Sequence, residues 1–206
     1  TISFKVSELD SKKTALVVID MQNTFCEPNS PAEVPQSRDI VNPINKFAKS
    51  LRDKGGQVIW VLHANSQVGN KSDWELFFNN VVADEVKSRT IASLSPDKQK
   101  VWKDLTVDQR DITVIKNRYS ALISGSSSLE RVLRNLGIDT ILIAGTKTNI
   151  CCESTARDGM MLDFKIVMVE DCCAALSDDE HQATLESIIQ QFGDVRTSES
   201  ILEILN

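Results

Sequence analysis

The chain has 206 residues, a formal charge of -6 and 41% hydrophobic residues, a globular composition with enough length for one substantial core. Acidic and basic residues are mixed throughout, without a basic stripe to neutralise phosphates, so we expect no nucleic-acid partner. The apolar runs are far shorter than the roughly 20 residues that cross a bilayer, so we expect no membrane partner. We predict one domain over residues 1–206. Because the first residues lack the features of a secretory signal, we also predict a cytoplasmic location.

Five short β-branched runs mark the predicted strands, and segments of helical character separate them. The runs are Thr14–Ile19, Val58–Leu62, Ile112–Ile115, Thr140–Ala144 and Lys165–Val169. Near-continuous apolar strands are typical of a sheet covered on both faces, and alternation with helices favours parallel pairing. We therefore predict the α/β class, as a three-layer α/β/α fold with a central, mainly parallel sheet of five to six strands.

Helix boundaries have signals of their own. Residues 40–54 have helical character and end at a Gly55-Gly56 stop. Three Ser-x-x-Glu segments match the capping box, in which side chains satisfy the first free amides of a helix; they begin at Ser72, Ser127 and Ser177. Residues 64–111 interrupt the alternation with a polar loop and two short helices. We predict that this region is an insertion near the active face.

The five cysteines form two adjacent pairs and a singleton: Cys26, Cys151, Cys152, Cys172 and Cys173. The odd number and the absence of a CxxC spacing argue against a zinc site and against a complete disulfide framework. We interpret most of them as reduced thiols that fill the core. A redox pair at Cys151-Cys152 is an alternative, but adjacent cysteines form a strained disulfide.

Polar residues follow four of the apolar runs, directly or after a short turn: Asp20, His63, Lys116 and Cys151. In open α/β sheets, ligands bind beyond the carboxyl ends of the strands. We therefore predict that an acid, a base and a thiol from three strands converge at one edge of the sheet. His63 has two interpretations, as a ligand or substrate contact and as a hydrogen-bonded structural residue.

Cys151 opens a predicted helix, CESTARDGMML, with Thr148 or Asn149 as the N-cap. The free amides and positive dipole end of a first turn favour a thiolate, as does a nearby lysine. We therefore expect Cys151 to be more acidic than a free thiol. Cys152 points about a quarter-turn away, and we assign it to packing.

The segments VVIDMQN, VIKNRYSAL and GTKTNICCESTARD resemble the three signature segments of the isochorismatase-like cysteine hydrolases. That superfamily includes carbamoyl and ureide amidohydrolases, nicotinamidases and isochorismatases. The resemblance implies a catalytic triad of Asp20 as general base and acid, Lys116 as charge partner and Cys151 as nucleophile. It also implies a cis peptide at Thr146-Lys147 and an oxyanion hole made by the backbone amides of Lys147 and Cys151. Relatives often have Val-Ala at the cis peptide, so the Lys147 side chain is a departure whose role the sequence leaves open.

The function that the resemblance implies is hydrolysis of a C–N bond in a small amide, ureide or carbamoyl compound, through a Cys151 thioester and without a cofactor. One alternative is isochorismatase-type hydrolysis of a vinyl ether, with Asp20 as the acid. Another is a non-catalytic binding protein on the same fold. The resemblance further suggests a small-molecule partner and a homodimer or homotetramer.

The candidate substrate-binding residues are Asn23, Asn65, Trp74 and Tyr119. Trp74, together with Phe77 and Phe78, either lines the pocket or anchors the inserted helix. Nicotinamidases of the superfamily hold a metal with an acid and two histidines in the loop after the second strand. That loop, ANSQVGNKSDWELFF, contains no histidine, so we predict no metal site.

Overall fold

The computed structural model describes residues 5–206, and within them six parallel strands form one sheet between two layers of helices. The strands of this sheet are β1 (Thr14–Ile19), β2 (Gln57–His63), β5 (Ile112–Lys116), β6 (Thr140–Thr146), β7 (Lys165–Ala174) and β8 (Asp194–Arg196). Two further short strands, β3 (Gln67–Val68) and β4 (Lys71–Ser72), lie outside it. The helices are α1 (Asn23–Cys26), α2 (Val41–Asp53), α3 (Glu75–Asn80), α4 (Asp84–Ser93), α5 (Leu129–Asn135), α6 (Glu153–Met161), α7 (Asp178–Gln191) and α8 (Ser198–Ile204). None of these helices is long and apolar enough to cross a membrane.

The strand order is β5-β2-β1-β6-β7-β8, and β3 pairs with β4 in a separate hairpin. The chain moves outward from β1 to β2 and β5, and then returns to the other side of β1 to lay down β6, β7 and β8. The order therefore reverses between β1 and β6, which opens a crevice at their carboxyl ends. The predicted α/β class and central sheet are confirmed, with β8 as the sixth strand.

The two faces of β1 pack against different helices, because successive side chains of a strand point in opposite directions. Leu16 and Val18 share one core cluster with Ile44 and Phe47 of α2. Val17 and Ile19 share the other cluster with residues from three helices: Leu129 of α5, Ala156 of α6 and Ile188 of α7. All six residues of β1 are buried, as expected for a central strand covered on both sides.

The capping-box predictions have different outcomes. Ser177 is the N-cap of α7, and its hydroxyl accepts from the Glu180 amide at 3.2 Å, as predicted. The Ser127 prediction is wrong in position, since α5 begins after Ser128. The Ser72 prediction is confirmed for one of its two bonds, since the Glu75 carboxylate accepts from the Ser72 amide, but α3 begins only after Trp74. The Ser127 hydroxyl accepts from Leu129 and the Ser72 hydroxyl from Trp74, each only two residues ahead. Local turns that compete with a cap explain this difference.

Gly145, near the end of β6, lets the backbones of β6 and β1 approach closely. Its φ is +115°, and a Cβ at this position would lie 2.0 Å from the carbonyl oxygen of Ile19. Only glycine fits both the conformation and the space. This contact sets the crevice where β1 and β6 end.

Candidate active site

The predicted convergence of acid, base and thiol is present at the carboxyl edge of the sheet. Asp20 directly follows β1, Lys116 ends β5, and Cys151 lies in a π-helical turn (Thr148–Cys152) after β6. Lys116 Nζ lies 3.2 Å from Asp20 Oδ2 and donates to Cys151 Sγ at 3.5 Å. The exposed fractions are 1% for Asp20, 0% for Lys116 and 6% for Cys151. Three groups far apart in sequence therefore meet in a buried cluster.

The Lys116 ammonium is fixed by four neighbours among the described residues. Besides Asp20 and Cys151, it contacts His63 Nδ1 at 3.0 Å and donates to the carbonyl oxygen of Arg118 at 2.9 Å. Burial lowers the pKa of Lys116, but the charge of Asp20 and the hydrogen bonds to Asp20 and Cys151 outweigh burial and raise that pKa above its ordinary value. Lys116 therefore stays charged and supplies a fixed positive charge to the site.

Asp20 has the features of a general base. Burial raises the pKa of its carboxyl group, and Lys116 reverses only part of that effect. Neither carboxylate oxygen accepts a well-aligned hydrogen bond from another residue in the described range 5–206. A lone pair is thus available for the proton of the Cys151 thiol beside it. Its φ of +57° places Asp20 in the left-handed region, which aspartate tolerates better than most residues.

The prediction of an unusually acidic Cys151 is wrong. Burial and the negative charge of Asp20 raise the pKa of the thiol above its ordinary value, and together they outweigh the opposing effect of Lys116. The predicted N-cap is also wrong, because Lys147 precedes the turn in place of Thr148 or Asn149. The sulfur therefore rests as a thiol.

Cys152 packs in the core, as predicted. It is fully buried in the same cluster as Ala156 of α6, and its sulfur lies 3.8 Å from the carbonyl oxygen of Ala144. All five cysteines are buried and free of disulfide bonds, which agrees with the interpretation as reduced thiols.

His63 lies between Lys116 and Asn65 in a hydrogen-bonded chain. Because the Lys116 ammonium is only a donor, His63 Nδ1 is the acceptor, and Nε2–H donates to Asn65 Oδ1 at 2.6 Å. Burial lowers the pKa of His63 well below its ordinary value, and the charge of Lys116 lowers it further. These contacts fit the structural interpretation of His63, as a neutral ring that orients Lys116.

Gln22 has a role that sequence reasoning missed. Its side-chain oxygen accepts from the His63 amide at 2.7 Å, and its side-chain nitrogen donates to the His63 carbonyl at 2.8 Å. These two hydrogen bonds join Gln22 to His63, the last residue of β2. The signal in the sequence was weak, because the two partners are 41 positions apart.

A cavity of about 540 Å³ opens onto the cluster, a size typical of small-molecule sites. Its polar lining includes Asp20, His63, Tyr119 and Cys151. Most of the remaining lining is apolar: Phe25, Val34, Phe77, Leu94, Ile150 and Leu176. Phe77 and Leu94 come from region 64–111, so part of the predicted insertion lies at the active face.

The four predicted substrate-binding residues lie in different places. Tyr119 lines the cavity, whereas Asn23 lines a separate cleft beside Arg89. Asn65 is fully buried and donates to Asp73 Oδ1 at 2.8 Å, so its side chain is committed to the protein. Trp74 lies outside the cavity lining.

Of the three inserted aromatic residues, Phe77 lines the pocket, whereas Trp74 and Phe78 anchor α3. Trp74 packs on Tyr119 with ring centroids 4.8 Å apart and stacks on Phe77 at the same distance. Phe78 is buried, and Phe77 faces the cavity. Trp74 therefore supports the cavity wall from behind.

The start of the turn that carries Cys151 is held by two side-chain hydrogen bonds. The peptide bond between Thr146 and Lys147 is cis, at the position that the resemblance implies. The Thr146 hydroxyl donates to the carbonyl of Ala174 at 3.1 Å, and Thr148 Oγ1 pairs with His181 Nδ1 at 2.9 Å. Within residues 5–206, no group of three or more His, Cys, Asp or Glu side chains has an arrangement that could hold a metal ion.

Comparisons with known proteins agree with this fold. The isochorismatase domain model matches residues 14–200. Isochorismatase family protein YecD of Escherichia coli O157:H7 is 34% identical over 202 residues, which cover 96% of this chain and 99% of the relative. Ureidoacrylate amidohydrolase RutB of Klebsiella pneumoniae is 28% identical over 210 residues, or 95% of this chain and 88% of that protein. The crystal structure of a cysteine hydrolase from Pseudomonas syringae has a TM-score of 0.82 and 29% identity, with 98% of this chain and 95% of that chain covered. The protein therefore belongs to the isochorismatase family.

Proposed function

We propose that this protein hydrolyses the C–N bond of a small amide, ureide or carbamoyl compound, with Cys151 as the nucleophile. The observation that carries the proposal is the contact of one buried ammonium, that of Lys116, with both the Asp20 carboxylate at 3.2 Å and the Cys151 sulfur at 3.5 Å. The amidohydrolase activity named for RutB supports the same class of reaction.

In the first half of the reaction, Asp20 removes the proton of the Cys151 thiol as the sulfur attacks the substrate carbonyl. The raised pKa values of both groups suit this transfer, because a thiol that keeps its proton needs a base with raised affinity for it. Asp20 then gives the proton to the leaving nitrogen. The C–N bond breaks, ammonia or an amine departs, and the acyl group remains on sulfur as a thioester.

In the second half, Asp20 removes a proton from water as the water oxygen attacks the thioester carbonyl. The C–S bond breaks, the acid or carbamate leaves, and the proton returns to the sulfur. Lys116 stays charged throughout and stabilises the negative charge that passes between Asp20 and Cys151. The backbone amides of Lys147 and Cys151 are our candidates for the oxyanion hole.

A panel of small amides, ureides and carbamoyl compounds, assayed for ammonia release, tests the proposal. We expect the wild type to release ammonia from at least one class, and Cys151→Ala to lower kcat/KM by about 10³-fold or more. Cys152→Ala is the matched control, since it removes the adjacent buried sulfur but leaves the cluster intact. Equal loss in both variants contradicts the role of Cys151.

Isochorismate belongs in the same assay, with pyruvate as the product measured. Pyruvate release that survives Cys151→Ala and is lost in Asp20→Asn identifies vinyl ether hydrolysis. A protein that binds members of the panel and hydrolyses none is a binding protein on this fold. Either result replaces the amidase proposal.

A further inference from the structure

The cavity contains a cation that the proposed chemistry does not use. Lys147 is half-buried and lines the cavity together with Cys151. Among residues 5–206, no side chain or backbone group forms a hydrogen bond or ion pair with its ammonium. Lys147 directly precedes the turn that carries Cys151, and its carbonyl oxygen accepts from the Cys152 amide at 3.3 Å. Lys147 therefore brings an unpaired positive charge to the cavity that also contains the candidate nucleophile.

Each of the two acids of the cavity lining is paired with a cation that is not itself part of the lining. Lys116 lies against Asp20 at 3.2 Å. Arg38 pairs with Glu33 at 2.8 Å, and the Asn29 amide donates to the same carboxylate at 2.8 Å. Lys147 is the remaining charged residue of the lining within the described part of the chain. The cavity consequently carries one positive charge without a counter-ion.

From this charge balance we propose that Lys147 binds a carboxylate on the substrate, an inference that rests on the proposed function. The substrate class is then a carbamoyl or amide compound with a carboxylate close to the reacting carbonyl. The chain as a whole carries a charge of -6 and does not attract anions in general. The preference for a carboxylate therefore arises from Lys147 in the cavity. An ammonium–carboxylate contact is a charge-assisted hydrogen bond, stronger than a neutral one.

The remaining lining adds a second requirement. Apolar side chains dominate the rest of the cavity, among them Phe25, Val34, Leu94 and Ile150. A substrate with a short apolar branch buries that branch against these residues and gains hydrophobic free energy. A carbamoyl amino acid with an aliphatic side chain has all three features: the reacting carbonyl, the carboxylate and the apolar branch.

N-carbamoyl-leucine and N-carbamoyl-leucinol test the inference. The first carries a carboxylate at the position where the second carries a neutral alcohol, and the two are otherwise the same. We expect the wild type to prefer the acid by about tenfold or more in kcat/KM, as one charge-assisted contact implies. Lys147→Met is expected to bring the ratio of the two values close to one, and Lys147→Arg to keep the preference. Lys98→Met is the control, since Lys98 lines the separate cleft. Added salt lowers the preference if it is electrostatic.

Calorimetric binding of the same two compounds to Cys151→Ala separates this inference from the proposed function. Tighter binding of the acid that is lost in the Cys151→Ala, Lys147→Met protein supports the carboxylate contact, even if the wild type hydrolyses neither compound. Hydrolysis of both compounds at similar rates, unaffected by Lys147→Met, overturns the inference and leaves the proposed function standing. Absence of any preference in binding, whether both compounds bind or neither does, also overturns it.

Discussion

At the scale of single residues, Asp20 combines burial with a nearby positive charge and oxygens that lack well-aligned donors from other described residues. An acid in this setting is unsuited to a purely structural role, because buried polar atoms in stable regions normally have partners. The arrangement supports the proposal that Asp20 accepts and returns a proton during the reaction.

Replacement of Asp20 by Asn removes the base and is expected to lower kcat/KM by about 10²- to 10⁴-fold. In the wild type, only ionised Asp20 accepts the thiol proton, so activity falls as the pH falls through its raised pKa. That acid limb lies at higher pH than the ordinary aspartate value of about 3.9. Ammonia release measured across pH gives both results. Asp53→Asn, at an exposed site on α2, is the control, and an Asp20→Asn protein of normal activity contradicts the assignment.

His63 contacts Lys116, and its protonation also affects the stability of the folded protein. Its pKa is lowered in the folded state, so below about pH 6.5 the unfolded chain binds more protons at this residue than the folded one. The stabilising contribution of neutral His63 is therefore present above that pH and is lost as the pH falls towards the lowered pKa. Urea midpoints of the wild type are expected to drop between about pH 7.5 and 5.5.

In His63→Leu, this pH dependence is expected to become weaker. The variant is also less stable at neutral pH by about 1–3 kcal/mol, because the Asn65 oxygen and the Lys116 ammonium each lose a buried partner. A midpoint that changes with pH as steeply in the variant as in the wild type shows that other groups cause the effect.

At the scale of elements, the close approach of β6 to β1 positions the turn of Cys151 beside Asp20. Gly145→Ala places a Cβ against the backbone of Ile19, which cannot yield as a flexible side chain can. We expect a loss of more than about 3 kcal/mol in the free energy of unfolding. Gly137→Ala is the matched control, since Gly137 also has positive φ but lies in open space, and it is expected to cost only about 1–2 kcal/mol. Similar urea midpoints for the two variants contradict the proposed close contact.

Element boundaries show where local sequence signals are sufficient. The helix predicted over residues 40–54 is observed as α2, because its amphipathic pattern and its glycine stop agree with its packing against the sheet. Ser127 and Ser72 carry the same capping signal as Ser177, yet their hydroxyls accept from amides two residues ahead. A four-residue pattern does not distinguish these two arrangements.

At the scale of the whole molecule, the sequence was sufficient for the fold class and for the three residues of the cluster. Strand ends alone predicted that Asp20, Lys116 and Cys151 share an edge, since parallel strands present their carboxyl ends together. The Gln22 and Asn65 contacts around His63 were not predictable, because they depend on side-chain orientations between distant segments. The raised pKa of Cys151 was also missed, because its main cause is burial, which is a property of the folded molecule.

The central claim is that Cys151 carries the acyl group between departure of the amine and arrival of water. The most direct measurement is partition by added hydroxylamine, with an amide and an N-methylamide of the same acid as substrates. A shared Cys151 thioester predicts the same ratio of hydroxamate to acid from both substrates, because the leaving amine has gone before the partition occurs. A ratio that changes with the leaving amine indicates direct attack by water and contradicts the account.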